Sequence, residues 1–240
     1  KSMEWNALSK VKIIAGGTSL DKADLIVVGI HNCTLSGWAK SLDNGSMKGA
    51  LQQTIDQEKK SFSKCGYVSP ILRMIDNEES VIKRYALLSL GDNNQEEATI
   101  GLTIGKALAT LCTAEKNAKI VSVHLPAKML QDANILQDLA AAIYSELYVD
   151  NRYRTGDNIK TIDLTEIKLM SSDEQVSSYN TAPLEVGKSL ASGVILTKDI
   201  VNAPHNILNS ESLADTAQRV AKESNGRIKC TILGKAECEE

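Results

Sequence analysis

The chain has 240 residues, of which 42% are hydrophobic and 24% charged, and its net charge is −3. These values are typical of a globular protein with a proper core, arranged as one large domain or two unequal ones. The negative charge argues against a broad nucleic-acid surface, and no apolar run reaches the ~18 residues of a membrane-spanning helix.

The first segments alternate between strand and helix patterns. Short β-branched runs at Val11–Gly17 and Ala23–Ile30 predict largely buried strands. Ser46–Lys60 carries apolar residues at i, i+4 and i+8 from Met47, which predicts an amphipathic helix.

Two further strands are predicted at Gly66–Ile75 and Arg84–Asp92. Pro70 lies inside the first of them and cannot donate a ladder hydrogen bond. The first strand is therefore expected at a sheet edge or at a bulge.

The following region continues the alternation. Ala98–Asn117 predicts a buried helix whose glycines allow close packing, and Ala118–Pro126 predicts a strand. Asp132–Tyr148 predicts an amphipathic helix with an acidic start, where the helix dipole favours an anion. Ile159–Met170 alternates apolar and polar residues, which predicts a half-exposed strand.

The alternation over residues 11–170 predicts an α/β domain with a mainly parallel or mixed central sheet. The polar stretch 171–183 is the best linker candidate. A long helix follows, then a helix capped by Asn209 or Ser210, and a strand at Arg227–Leu233. The capped helix is expected to have its inner face at Leu213, Ala217 and Val220. The residues after the linker are too few to bury a convincing core alone. The long helix has apolar residues at helical spacing: Val186, Leu190, Val194 and Val201.

Metal-binding patterns are absent from the sequence. The three histidines, His31, His124 and His205, are far apart, and no cysteine stands in a CxxC pair. We therefore interpret the cysteines as reduced, structural thiols: Cys33, Cys65, Cys112, Cys230 and Cys238.

Ligand-binding loops give one weak candidate. Gly16 and Gly17 follow a predicted strand, as glycines do in nucleotide-binding loops, but no complete phosphate-binding motif is present. A plain turn is the favoured interpretation. Scattered basic residues such as Arg152 and Arg154 are better explained as a solvated face than as a nucleic-acid site, although a local DNA contact is left open.

A stiff elbow interrupts the helices near residue 204. Pro204 forces Ala203 out of the helical region and ends the long helix. Asn202 and Asn206 can satisfy the backbone groups that the turn frees. We assign a structural role to Asn202, Pro204 and Asn206.

The elbow resembles the start of the catalytic domain of the leucyl (cytosol) aminopeptidase family. The family pattern is a long helix ending in [KR]-D-[LI]-x-N-x-P-x-N-x-[LM], followed by a polar cap and L-A-x-x-A. His205 and Asn209-Ser210 depart from the residues that the family often has there. The matching residues are Lys198, Asp199, Ile200, Asn202, Pro204, Asn206, Leu208, Leu213, Ala214 and Ala217.

The resemblance implies a homohexameric metallo-exopeptidase that removes N-terminal residues, Leu preferred, from peptides. It implies two divalent metal ions, Mn or Zn, that activate a bridging water. It also implies a macro-domain-like N-terminal domain at 1–170, a linker and connecting helix at 171–201, and the beginning of the peptidase domain at 202–240.

The family's metal ligands and catalytic Lys and Arg lie in D-S-G-G and N-T-D-A-E-G-R segments, and neither segment occurs here. We therefore predict no catalytic and no metal-binding residue in this chain, and no activity for the 240 residues alone.

The alternative hypothesis is a non-catalytic binding or scaffold module, with a nucleotide-type ligand near Ala15–Asp24, a DNA contact or a role in assembly. The expected location is cytoplasmic. A plastid or other organelle is left open, because the sequence begins at Lys1 and a transit peptide can have been removed.

Overall fold

The computed structural model describes residues 5–6, 8–16, 23–35, 37–76, 81–92, 99–172 and 179–239. These residues form a six-stranded sheet with the order β1-β6-β5-β2-β4-β3. All neighbouring strands are parallel except β3, which runs antiparallel to β4. The predicted α/β fold with a mixed sheet is confirmed. The strands are β1 (Lys12–Ala15), β2 (Leu25–Ile30), β3 (Leu72–Asp76), β4 (Val81–Ser89), β5 (Ile120–Leu125) and β6 (Glu166–Ser171).

Helices cover both faces of this sheet, and a short 3-10 turn lies at Gly156–Asn158. None of the helices in the described part of the chain is long and apolar enough to cross a membrane. The helices are α1 (Gly37–Asn44), α2 (Ala50–Gln57), α3 (Lys59–Phe62), α4 (Ile100–Ala114), α5 (Ala127–Gln131), α6 (Ala133–Glu146), α7 (Ala182–Asn202), α8 (Ser210–Glu223) and α9 (Lys235–Cys238).

Two hydrophobic cores lie on opposite faces of the sheet. In β2, Leu25 and Val27 pack with α4 and α6, while Ile26 and Val28 pack with α1, α2 and α3. Successive side chains of a strand point to opposite faces, so a strand covered on both sides is apolar at nearly every position. This explains why the second predicted strand is a continuous apolar run.

The predicted helix at Ser46–Lys60 begins later than its apolar pattern. Lys48 and Gly49 have φ values of 49° and 83°, and this left-handed turn delays α2 until Ala50. The buried carboxylate of Asp43 accepts hydrogen bonds from the backbone N–H groups of Leu51 and Gln52, at 2.8 and 3.1 Å. A distant side chain thus satisfies the first turn of α2.

The edge position predicted from Pro70 is confirmed. Pro70 precedes β3, which pairs only with β4 and forms one edge of the described sheet. The opposite edge is β1.

The last strand differs from the prediction in length and position. Alternation suggested a strand over Ile159–Met170, but β6 spans only Glu166–Ser171 and lies between β1 and β5. Residues 159–165 approach the sheet without joining it, and the backbone N–H groups of Thr165 and Glu166 both donate to the Lys119 carbonyl. The burial alternates from Glu166 to Leu169, as predicted, and the alternation ends where Leu169 and Met170 are both buried.

The long helix is confirmed, but its apolar stripe faces outward. The side of α7 that packs on α6 carries Leu184, Gly187, Ala191, Ile195 and Asp199. Small residues let the two helix backbones approach closely. The stripe read from the sequence is on the other side, with 47% of Val186, 50% of Leu190, 44% of Val194 and 75% of Val201 exposed.

Two predictions for the last forty residues are wrong. Arg227–Leu233 forms no strand, because among the described residues no strand lies beside it to pair with. The predicted inner face of α8 is not buried either, because Leu213 and Ala217 are exposed and Val220 is only half-buried. The buried residues of α8 are Ser212 and Thr216.

The contact between α6 and α7 can be tested at Gly187. A Cβ atom there would lie 2.2 Å from the Gln137 carbonyl oxygen. We expect Gly187→Ala to lower the free energy of unfolding by about 1–3 kcal/mol through overpacking. Gly193 lies in the same helix with no heavy atom within 4 Å of such a Cβ. Gly193→Ala should raise it by up to about 1 kcal/mol through helix propensity. Equilibrium urea unfolding measures both, and equal effects would contradict the close contact.

Candidate functional site

The elbow has the geometry that Pro204 demands. Helix α7 ends at Asn202, and Ala203 adopts an extended conformation with φ −69° and ψ 133°. The backbone N–H groups of Ile207 and Leu208 both donate to the Pro204 carbonyl, at 2.8 and 2.9 Å. The chain therefore turns tightly, and seven residues, 203–209, separate the end of α7 from the start of α8.

The predicted cap of α8 is confirmed at Asn209. Its side-chain oxygen accepts the Ser212 N–H at 2.9 Å, and the Ser212 hydroxyl accepts the Asn209 N–H at the same distance. This reciprocal pair is a capping box.

A buried ionic network holds the end of α7. Asp199 is 1% exposed, and its carboxylate lies 3.3 Å from the Arg152 guanidinium. Arg152, with a side chain 6% exposed, also contacts the Asp150 carboxylate at 2.8 Å and donates to the Asp199 carbonyl at 2.9 Å. The Tyr148 hydroxyl donates to Asp199 Oδ1 at 2.8 Å. Asn6 donates to the same carboxylate twice, from its backbone N and from Nδ2, at 2.8 Å each.

The network shifts the pKa values of its members. The hydrogen bond from Arg152 lowers the pKa of Asp150 below its usual value, and the same hydrogen bond raises the pKa of Arg152. Burial raises the pKa of Tyr148. The ionic forms of the pair are therefore the stable ones at neutral pH.

The elbow residues have unequal contacts. Asn202 Nδ2 donates to the Tyr148 hydroxyl at 3.4 Å, which ties the end of α7 to the network. The side chain of Asn206 is exposed and makes no hydrogen bond within the described part of the chain. The structural roles assigned to Asn202, Pro204 and Asn206 stay predictions, with Asn202 and Pro204 having the geometric support.

No group of three His, Cys, Asp or Glu side chains is placed to hold a metal ion within the described residues. His31 and His205 are exposed, one after β2 and the other in the elbow. The five cysteines are free thiols, and burial raises the pKa of Cys112 to about 12. The predicted lack of a metal site in the whole chain stays a prediction.

His124 is the one histidine inside a core. It is 3% exposed, its ring stacks on Trp38 with centroids 4.1 Å apart, and Nε2 lies 3.3 Å from the Ser122 hydroxyl. Its Nδ1 has no hydrogen-bond partner among the described residues. Desolvation lowers the pKa of His124 to about 4, so the ring is neutral at physiological pH.

The glycine pair after β1 is not part of a described cavity. Gly16 has φ 106° and its N–H donates to the Leu169 carbonyl at 3.0 Å, as in a turn that leaves the sheet. Gly17 lies outside the described residues. The ligand-loop hypothesis for Gly16 and Gly17 therefore stays an untested prediction.

A cavity of about 480 Å³ opens at the carboxyl ends of the central strands. The chain leaves β2 toward α1 on one face of the sheet and leaves the neighbouring β5 toward α5 and α6 on the other. Such a change of face between adjacent parallel strands creates a crevice where α/β proteins bind ligands. The lining residues are His31, Leu90, Ile100, Gly101, Pro126, Lys128, Met129, Asp132, Asn134, Ile135 and Asp138.

Sequence reasoning missed this cavity because its lining comes from separate segments. One local sign existed. Asn32 and Cys33 follow β2 with φ values of 52° and 54°, which cysteine rarely adopts. Backbone strain of this kind clusters near functional sites.

A larger groove of about 760 Å³ lies at the opposite ends of the strands, beside the ionic network. It mixes acidic residues such as Glu115 and Glu146 with Lys116, Arg154 and Lys160. Arg152, one of the basic residues weighed for nucleic-acid binding, is buried in the network and offers no charge to a partner.

Comparisons with known proteins agree with the family resemblance, although no protein-family model matches the chain. A probable cytosol aminopeptidase from Rippkaea orientalis is 28% identical over 219 residues, covering 90% of this chain and 42% of the relative. The chloroplastic leucine aminopeptidase 2 of Oryza sativa subsp. japonica is 26% identical over 232 residues, covering 91% of this chain and 37% of the relative. The chain thus spans about two fifths of the length of these curated relatives.

Solved structures show the same fold. A mutant of tomato leucine aminopeptidase superposes with a TM-score of 0.76 at 20% identity, covering 99% of this chain and 47% of that chain. The bottromycin maturation enzyme BotP in complex with Mn gives a TM-score of 0.54 at 18% identity, covering 85% of this chain and 37% of that one. The resemblance inferred from the elbow is confirmed, and so is the fold class.

The network at the end of α7 predicts a strong effect of Arg152. Arg152→Met leaves the carboxylates of Asp150 and Asp199 without their cation. We expect a loss of about 3–5 kcal/mol in the free energy of unfolding. Lys188→Met is the control: it removes a cation of α7 whose partner, Glu185, has a side chain 77% exposed. This substitution should lower the free energy of unfolding by less than about 1 kcal/mol. Denaturant unfolding measures both, and an equally small loss for Arg152→Met would contradict the network.

Because His124 is buried, we expect the free energy of unfolding to fall with pH above the range in which carboxylates titrate. The unfolded chain binds a proton at this residue below about pH 6.5, and the folded chain only below about 4. The unfolded state therefore binds more protons in that window, and stability falls as the pH falls. We expect a loss of about 2–3 kcal/mol between pH 7 and about 4.5. In His124→Gln the free energy of unfolding, measured by denaturant unfolding at a series of pH values, should depend less on pH. An unchanged dependence in the variant would show that other groups cause it.

Proposed function

We propose that this chain is part of a metallo-aminopeptidase that removes N-terminal residues from peptides, with leucine preferred. The observation that carries the proposal is the similarity to cytosol and leucine aminopeptidases along about 90% of the chain. The structural match to tomato leucine aminopeptidase supports it over nearly every residue, including the elbow.

The surface of α7 supports a longer protein around this fold. Val186, Leu190, Val194 and Val201 form one exposed apolar stripe along the helix, between 44% and 75% exposed. Contiguous apolar surface of this kind marks an interaction site. We propose that the peptidase domain of a longer form covers this stripe, since the matched relatives are more than twice as long as the chain.

Metal chemistry would come from residues outside the chain. BotP was solved in complex with Mn, and its fold is similar to this one. We propose that two divalent ions, Mn or Zn, serve the longer form, as the family resemblance implies. The described residues do not fit such a site, because they bring no three ligand side chains together. The chain's proposed contribution is the N-terminal domain, the connecting helix and the elbow that leads into the peptidase domain.

The same resemblance carries two further proposals, a homohexameric assembly and a cytoplasmic or plastid location. The relatives include proteins named as cytosol aminopeptidases and as chloroplastic leucine aminopeptidases.

A non-catalytic binding module is the second candidate function, and the cavity at the ends of β2 and β5 favours it. Its lining does not include Gly16, so the cavity gives no support to a ligand at that loop. The two functions are compatible, because a peptidase can carry a separate ligand site.

The proposal is tested by hydrolysis of leucine amide with Mn²⁺ or Zn²⁺ present. A longer form that extends through the peptidase segments should release ammonia from leucine amide. This hydrolysis should stop when a chelator is added. N-acetyl-leucine amide is the matched control, because an exopeptidase of this kind needs a free amino group and should leave it intact.

The 240-residue chain should be inactive in the same assay. Hydrolysis by the short chain would contradict the assignment of the metal site to residues outside it. A folded longer form that hydrolyses neither leucine amide nor leucyl peptides with any of these metals would contradict the peptidase proposal.

A further inference from the structure

We propose that the cavity at the carboxyl ends of β2 and β5 binds a small apolar primary amine. The proposal rests on the lining of the cavity and not on the peptidase function, so the two can fail separately.

The base of the cavity is apolar. Leu90 and Met129 are 1% and 8% exposed and form its inner part, and the half-buried Ile100, Pro126 and Ile135 surround them. A volume of about 480 Å³ lies within the usual range for small-molecule sites. An aliphatic group placed there removes its own apolar surface, and that of the half-buried lining, from water, which is favourable.

The rim of the cavity favours an ammonium group. Asp132, which caps α6, and Asn134 and Asp138, which share one face of α6, supply two carboxylates and an amide oxygen. Lys128 is the ammonium among the described lining residues. Neither Asp132 nor Asp138 takes part in an ion pair within the described part of the chain. The Asp138 carboxylate and the second oxygen of Asp132, Oδ2, are therefore available to accept charge-assisted hydrogen bonds from a ligand.

The same rim disfavours a phosphate or other anion. A helix N-terminus ordinarily attracts anions, but Asp132 already occupies that of α6. Its Oδ1 accepts the backbone N–H groups of Asn134 and Ile135, at 2.9 and 3.2 Å. An anionic ligand would meet a fixed carboxylate at this position. The chemistry thus selects an amine over a nucleotide.

Close packing keeps the acidic wall in place. A Cβ atom added to Gly101 would lie 2.6 Å from the Ile135 carbonyl oxygen and 2.9 Å from Asp138 Cβ, so the starts of α4 and α6 are in direct contact. Asp138 therefore stands on a rigid backbone next to the apolar base. A carboxylate fixed in this way loses less conformational entropy when a ligand binds.

The test uses the 240-residue chain and three probes of matched shape: 3-methylbutylamine, 3-methylbutanol and 4-methylpentanoate. We expect the amine to bind with a dissociation constant on the order of 1 mM, which is reasonable for so small a ligand. The alcohol should bind more weakly and the carboxylate most weakly. Amide chemical shifts in a heteronuclear NMR titration measure the affinity, and the largest changes should fall on Leu90, Met129 and Ile135.

Asp138→Asn keeps the shape of the side chain and removes its charge. We expect it to weaken amine binding about tenfold while leaving alcohol binding unchanged, because the ammonium group then meets a neutral acceptor in place of a carboxylate. Asp157→Asn is the matched control, since Asp157 lines the groove at the opposite ends of the strands, and it should leave amine binding unaltered.

Several outcomes would overturn the proposal. They are equal binding of carboxylate and amine, an unchanged amine affinity in Asp138→Asn, shift changes away from the cavity, and no binding of any probe. If Asp138→Asn unfolds, Lys128→Met takes its place. It should leave the amine affinity the same or higher, and a loss of amine binding there would count against the proposal.

Discussion

The position of α7 depends on one buried carboxylate. Asp199 is 1% exposed, and a charge at that depth is tolerated only when cations and hydrogen-bond donors surround it. Arg152 and Tyr148 provide them from the segment that follows α6, and Asn6 from the start of the chain. The end of α7 can therefore occupy one place only, and the direction in which the elbow leaves the fold is set by electrostatics as well as by Pro204.

Backbone packing makes that place reachable. Asp199 meets its partners only if α7 lies close against α6 along its whole length, and Gly187 allows this because any side chain there would collide with the Gln137 carbonyl. The contact of α4 with α6 has the same basis, since a Cβ at Gly105 would lie 2.6 Å from the Leu139 carbonyl oxygen. Small residues at helix contacts and one buried ion pair thus act together. The small residues set the distance between the packed helices, and the ion pair sets the position of α7 along α6.

Features encoded by neighbouring residues were predictable, and features assembled from distant ones were not. The apolar run of β2, the end of the long helix before Pro204 and the Asn209 cap each depend on a few consecutive residues, and each is confirmed. The pairing of Arg152 with Asp199 joins residues 47 positions apart. The cavity combines the segments after β2 and β4 with α4, α5 and α6. The predicted strand at Arg227–Leu233 failed for the same reason, because strand propensity needs a neighbouring strand that the described residues lack.

Helix α6 is the element that the cavity and the elbow share. Asp132 and Asp138 at its start border the cavity, and Tyr148, just after its end, binds Asp199. A ligand could affect the elbow through α6 only by moving the helix as a unit. That movement is resisted on both sides, because α4 touches α6 at Gly101 and α7 touches it at Gly187 with no free space. Ligand binding at the cavity and the geometry of the elbow should therefore be energetically independent, since coupling requires an element with two accessible arrangements.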